Sequence, residues 1–89
     1  MLELDLIITN KLGLHTRAAS KIINITKKHH SNIFIECNNT SVDGKSIIGL
    51  LTLAATQNSI ITLIIDGKDE EILLTKLKTL IQNKFDEDE

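Results

Sequence analysis

The chain has 89 residues, 42% of them hydrophobic, and a formal net charge of -2. That is enough apolar material for one core and too little for two, and the mixed charge offers no field that would draw nucleic acid by counterion release. The only aromatic residues are two phenylalanines, which excludes a base-stacking platform and leaves a core of Ile and Leu. A single cysteine, Cys37, forbids an internal disulfide and points to a reducing, cytoplasmic setting.

Leu2, Leu4, Leu6 and Ile8 alternate with Glu3, Asp5 and Ile7, the period of a half-buried strand that ends at the turn-forming Asn10 to Gly13. A secretory leader would need a basic start and an unbroken apolar run, so none is expected. From Thr16 the spacing changes. Ala18, Ala19, Ile22, Ile23 and Thr26 recur three and four apart, with Lys21, Asn24, Lys27 and Lys28 on the other side, which predicts an amphipathic helix.

Ile33, Ile35 and Cys37 form the next alternating run, Asn38 and Asn39 suit a tight turn, and Thr40 to Val42 reads as the returning arm of a hairpin. Asp43 and Gly44 turn the chain. Ser46 is placed to cap a short helix ending near Ala55, with Ile47, Leu50, Leu51 and Ala54 toward the core. Ile60 to Ile65 is the last strand, stopped by Asp66 and Gly67. Its apolar runs fall well short of the roughly 20 residues that cross a bilayer, so no membrane insertion is expected.

Asp69, Glu70 and Glu71 then precede Ile72, Leu73, Leu77, Leu80 and Ile81, placing acidic groups at the positive end of a third helix. The order β-α-β-β-α-β-α predicts an α+β fold of the open-faced sandwich type. A four-stranded antiparallel sheet would be covered on one face by three helices. Its other face would carry Glu3, Asp5, Glu36 and Thr62, with Ile7, Phe34 and Ile64 half exposed. One domain is expected over residues 1–85. The acidic stretch 86–89 cannot bury apolar surface and is expected to be a frayed, solvated tail.

Gly13-Leu14-His15-Thr16-Arg17 falls where the first strand gives way to the first helix. Backbone amides should point outward there and welcome an anion, those of Thr16, Arg17 and Ala18 above all. A helix start disfavours a second positive charge, which leaves a ring nitrogen of His15 free to attack an electrophilic phosphorus. Arg17 could offer a guanidinium fork to the phosphoryl oxygens. On these grounds alone the motif has two readings, since a lone histidine in such a turn is most often a cap or a surface residue.

The Gly-Leu-His-Thr-Arg motif resembles the phosphorylation-site signature of the HPr proteins of the bacterial phosphotransferase system. Asp43-Gly44-Lys45-Ser46-Ile47-Ile48-Gly49-Leu50 resembles the regulatory-serine segment of the same family, and the element order is the family's. The resemblance implies a phosphocarrier and not an enzyme. His15 would take a phosphoryl group on Nδ1 from enzyme I and give it to an EIIA-type protein. Phosphoenolpyruvate would be the ultimate source, and no cofactor would be needed.

It further implies phosphorylation of Ser46 by an HPr kinase/phosphorylase, compatible with a cap because a phosphate is itself favoured at a helix N-terminus. Docking is expected through Leu14, Ile47, Ile48 and Leu51, with Lys27 and Lys45 beside them. The family often has proline where this chain has Ala18, which bears on the rigidity of the loop. Ala18-Ala19, Gly49 and the acidic ending resemble the nitrogen-regulatory branch.

His29 and His30 suit the negative end of the first helix and lack neighbours at metal-ligand spacing. Cys37 reads as a small buried apolar residue. The alternatives are an HPr-like regulatory module never phosphorylated on His15, and a small-ligand sensor domain, which would leave both motifs unexplained. A monomer is the default expectation.

Overall fold

The first alternating run forms strand β1 (Leu2–Ile7) in a computed structural model that describes residues 1–89. Helix α1 (Thr16–Thr26) follows, then β2 (Asn32–Cys37), β3 (Thr40–Asp43), the short helix α2 (Ile47–Thr52), β4 (Ile60–Asp66) and helix α3 (Glu70–Gln82). A single 3-10 turn, Lys84–Asp86, ends the ordered elements. No helix is long and apolar enough to cross a membrane.

The strands lie in the order β1-β4-β2-β3, every neighbour antiparallel. Register makes the two faces explicit. Leu4, Leu63 and Ile35 stand side by side across three strands, as do Leu2, Ile65 and Ile33, and these rows face the helices. The intervening row Asp5, Thr62, Glu36 lies on the open face, where the Thr62 hydroxyl donates to Asp5 at 2.7 Å. Ile7 and Phe34 are about half exposed on that face, as the alternation predicts.

Asn38 and Asn39 both have positive φ, 52° and 69°, between the paired residues Cys37 and Thr40. A two-residue turn of this hand matches the twist of a hairpin, and asparagine tolerates it better than most side chains. Below the sheet, α1 presents Ala18, Ala19, Ile22 and Thr26 to the core. The two alanines at its start let its first turn lie close to its neighbours.

Two expectations about burial are corrected. The six-residue α2 touches the core along one line and buries Leu50, with Leu53 just beyond it, whereas Ile47, Leu51 and Ala54 stay exposed. A helix of less than two turns has no room for a wider apolar face. It also ends at Thr52, before Ala55. In α3, Leu73, Leu77, Leu80 and Ile81 are buried as expected, but Ile72 lies on the solvent side and is 58% exposed.

Asp69 does not cap α3 with its side chain. Its carboxylate instead accepts from the backbone of His30 and Ser31, each at 2.9 Å, and from the Ser31 hydroxyl. The Ser31 hydroxyl and the His30 amide hold this carboxyl well below the ordinary range.

Hydrogen bonds fix how the two helices beside the site lie. At one end the Thr26 hydroxyl donates to the Gly44 carbonyl at 2.9 Å, and at the other the Leu14 amide donates to the Ala55 carbonyl at 2.9 Å. Helix α2 therefore starts near the end of α1 and runs back toward its beginning.

Candidate functional site: the start of helix α1

Gly13 sets the chain's entry into α1. Its φ is +66°, and a Cβ there would sit 2.5 Å from the Ala55 carbonyl oxygen, so both the backbone hand and the close approach require glycine. Two residues later His15 is extended (φ -89°, ψ -179°) and is the N-cap of α1. The first helical hydrogen bond runs from the Ala19 amide to the His15 carbonyl at 2.9 Å, so the amides of Thr16, Arg17 and Ala18 precede the ladder. The Arg17 amide turns to the imidazole and donates to His15 Nδ1 at 3.3 Å.

The other ring nitrogen meets a residue that sequence reasoning left in a frayed tail. His15 Nε2 is hydrogen-bonded to Glu87 Oε2, with both side chains largely covered at 25% and 13% exposure. Glu87 Oε1 accepts from Asn10 Nδ2 at 3.0 Å, and the same Asn10 nitrogen donates to the Gly13 carbonyl at 2.8 Å. Burial opposes the charge on Glu87. The hydrogen bonds from His15 and Asn10, with Lys21 nearby, outweigh it and hold the carboxyl below its usual value.

The expectation of a frayed, solvated 86–89 is thus corrected at Glu87, while Asp86, Asp88 and Glu89 stay exposed as expected. Lys84, Phe85 and Asp86 all have positive φ, and the turn they make buries Phe85 completely. Lys21 Nζ donates to the Phe85 carbonyl. Beyond it, the Lys11 amide donates to the Glu89 carbonyl at 2.9 Å. One phenylalanine in an acidic stretch was the available signal, because an apolar side chain of that size seeks a core.

Arg17 is exposed and lines a shallow depression with Lys11, Leu12, Glu87 and Glu89. Ser46 is the N-cap of α2, as expected, its hydroxyl accepting from the Gly49 amide at 3.1 Å. It follows Gly44, which Thr26 bonds at the far end of α1, so it lies toward that end and away from His15.

Of the expected docking residues, Ile47, Ile48 and Leu51 are exposed, Ile48 by 73%. Leu14 is not, and its assignment to the docking face is corrected: at 6% exposure it packs in the core beneath the site. Lys27 and Lys45 lie away from His15, toward the far end of α1. Lys27 caps the far end of α1, and Lys45 Nζ donates to the His29 carbonyl at 3.0 Å. These two flank the Ser46 end of the apolar strip and Arg17 the His15 end.

His29 Nδ1 bonds to the Ile25 carbonyl at 2.8 Å, and Cys37 is buried. No group of three or more His, Cys, Asp or Glu side chains could hold a metal ion.

Comparison with known proteins agrees with this geometry. The family model described as PTS HPr component phosphorylation site matches residues 2–83. A phosphocarrier protein HPr of Xylella fastidiosa is 44% identical over 99% of both chains. A phosphocarrier protein NPr of Shewanella violacea is 36% identical over 97% of this chain and 94% of its own. The crystal structure of HPr-C-His from Thermoanaerobacter tengcongensis superposes with a TM-score of 0.95 at 37% identity, covering both chains fully. With its four-stranded sheet, three helices and histidine-capped α1, the chain belongs to the HPr family of phosphocarriers of the phosphotransferase system.

Proposed function

We propose that this protein, a cytoplasmic monomer, carries a phosphoryl group on His15 Nδ1, taken from phosphorylated enzyme I and given to a histidine of an EIIA-type protein. The observation that carries the reading is the position of His15 as N-cap, with Nδ1 turned to the first amides of α1. A phosphoryl group on Nδ1 would face Thr16, Arg17 and Ala18 at the positive end of the helix. Alanine at position 18 adds an N–H that proline would lack. Arg17, exposed beside the ring, supplies the mobile positive charge.

Phosphoryl transfer through a loose transition state needs alignment and charge stabilisation more than covalent assistance. A domain of 89 residues can therefore act as half a site, with the partner supplying the rest. No cofactor is required, because the energy of phosphoenolpyruvate arrives through enzyme I. Incubation with phosphoenolpyruvate and enzyme I should leave an acid-labile, alkali-stable phosphate on His15. A chain that stays unlabelled while a known HPr is labelled in the same mixture overturns the reading.

Docking uses the exposed strip Ile47, Ile48 and Leu51, with Arg17 at one end and Lys27 and Lys45 at the other. Ser46, phosphorylated by an HPr kinase/phosphorylase, is the brake. Its distance from His15 means that a phosphate there changes the docking surface and not the chemistry. Ser46→Asp, which keeps a cap and adds one charge, should weaken enzyme I binding about fivefold, worth roughly 1 kcal/mol. Titration calorimetry measures this, and equal affinity removes Ser46 from the scheme.

A further inference from the structure

The contact between Glu87 and His15 joins residues 72 positions apart. Its consequence lies in which ring nitrogen carries the proton. The Arg17 amide can only donate, so the Nδ1 that receives it bears a lone pair. An ionised carboxylate can only accept, so the Nε2 bonded to Glu87 bears the hydrogen. Both contacts select one tautomer, and of the two the carboxylate bond is the stronger.

We propose that Glu87 is a positioning residue for phosphoryl transfer: its carboxylate holds His15 as the Nε2–H tautomer, which keeps the Nδ1 lone pair available for attack. This rests on the reading of His15 as phosphoryl acceptor. In the transfer step the Nδ1 lone pair forms the new N–P bond. The bond from phosphorus to the donor's nitrogen breaks, and its electron pair returns to that nitrogen. The His15 proton stays on Nε2, hydrogen-bonded to Glu87, so no base has to remove it. The ring gains positive charge as the bond forms, and the carboxylate already faces it.

Glu87 is itself held in place by three independent features. Phe85 anchors the turn before it, Lys21 ties the Phe85 carbonyl, and Asn10 fixes Oε1. Asn10 is fully buried, and its amide cannot be reversed without losing the bond to the Gly13 carbonyl. That orientation makes the isosteric variant informative. In Glu87→Gln the new amide must offer its oxygen to Asn10 Nδ2, which turns its NH₂ toward His15 Nε2. A donor at that position demands a lone pair on Nε2 and drives the proton to Nδ1.

The test combines ¹⁵N NMR of the His15 ring, recorded where its signals no longer move with pH, with rapid-quench transfer from phosphorylated enzyme I. The native protein should show the hydrogen on Nε2. Glu87→Gln should shift population to the Nδ1–H form and slow transfer at least about tenfold, with thermal unfolding little changed. Glu87→Ala, which removes the carboxylate and leaves only the weaker Arg17 amide contact, should fall between the two in tautomer population.

The same tautomer in native and Gln proteins, or equal transfer rates, overturns the role of Glu87. A tautomer shift in protein that enzyme I never labels overturns the phosphocarrier reading and leaves the hold of Glu87 on the ring intact. The readouts therefore separate the two claims.

Discussion

Arg17→Ala is expected to slow phosphoryl acceptance by His15 about 10²- to 10³-fold while shifting the melting temperature by no more than a few degrees. Arg17 touches the imidazole through its backbone amide, which alanine retains. The exposed guanidinium makes no ion pair: those of the protein join the N-terminal amine to Asp66 and Glu70, and Lys11 to Glu89. Truncating such a side chain usually changes stability by less than about 0.5 kcal/mol, or a few degrees for a domain of this size. The transition state is different, because charge spreads over the transferring oxygens and a cationic donor that closes on them is worth about that rate factor. Rapid-quench kinetics with phosphorylated enzyme I and a parallel thermal melt decide the matter, and a matched loss of stability would reduce Arg17 to a structural residue.

The pairing of Arg17 with His15 was legible in sequence because both sit in one turn. The same is true of Ser46 as a cap, since a hydroxyl directly before an apolar segment bonds an amide three residues on. The strands were legible for a related reason. Residues two apart share a face, so Leu2 to Leu6 and Ile33 to Cys37 state their burial in their spacing. Helices too short or too broad in apolar content are less explicit. Ile47, Leu51 and Ile72 each had spacing compatible with a core position, and only the packed neighbours decide that Leu50 and Leu73 take it.

Glu87 lay beyond local reading altogether. Its partners His15 and Asn10 are 72 and 77 residues distant, and the turn that brings Glu87 to His15 uses left-handed backbone at Lys84, Phe85 and Asp86 with no glycine to announce it. An acidic run next to a helix end obeys the composition of a solvated tail. Composition describes what a segment can do alone. Docking of this one depends on Phe85 finding a pocket that other elements build.

Phe85→Ala should therefore remove more stability than any change at the site, about 3–5 kcal/mol, and should disturb His15 as well. The side chain is completely buried among Ile and Leu, and its loss leaves a cavity that rigid neighbours fill poorly. It also sustains three consecutive residues at positive φ, each costing an L side chain about 1 kcal/mol or more. Without the anchor these residues relax to ordinary backbone and carry Glu87 away from the imidazole. Against the 5–15 kcal/mol typical of a small domain, the loss should lower the melting temperature by more than about 10 °C. Below the melt, the His15 ring should show the mixed tautomers expected of Glu87→Ala. Phe85→Leu keeps an apolar anchor and should recover most of both effects. A Phe85→Ala protein that melts like the native chain would mean that the turn is held by Lys21 and Asn10 alone, and that the aromatic ring is not what fastens the acidic segment to the site.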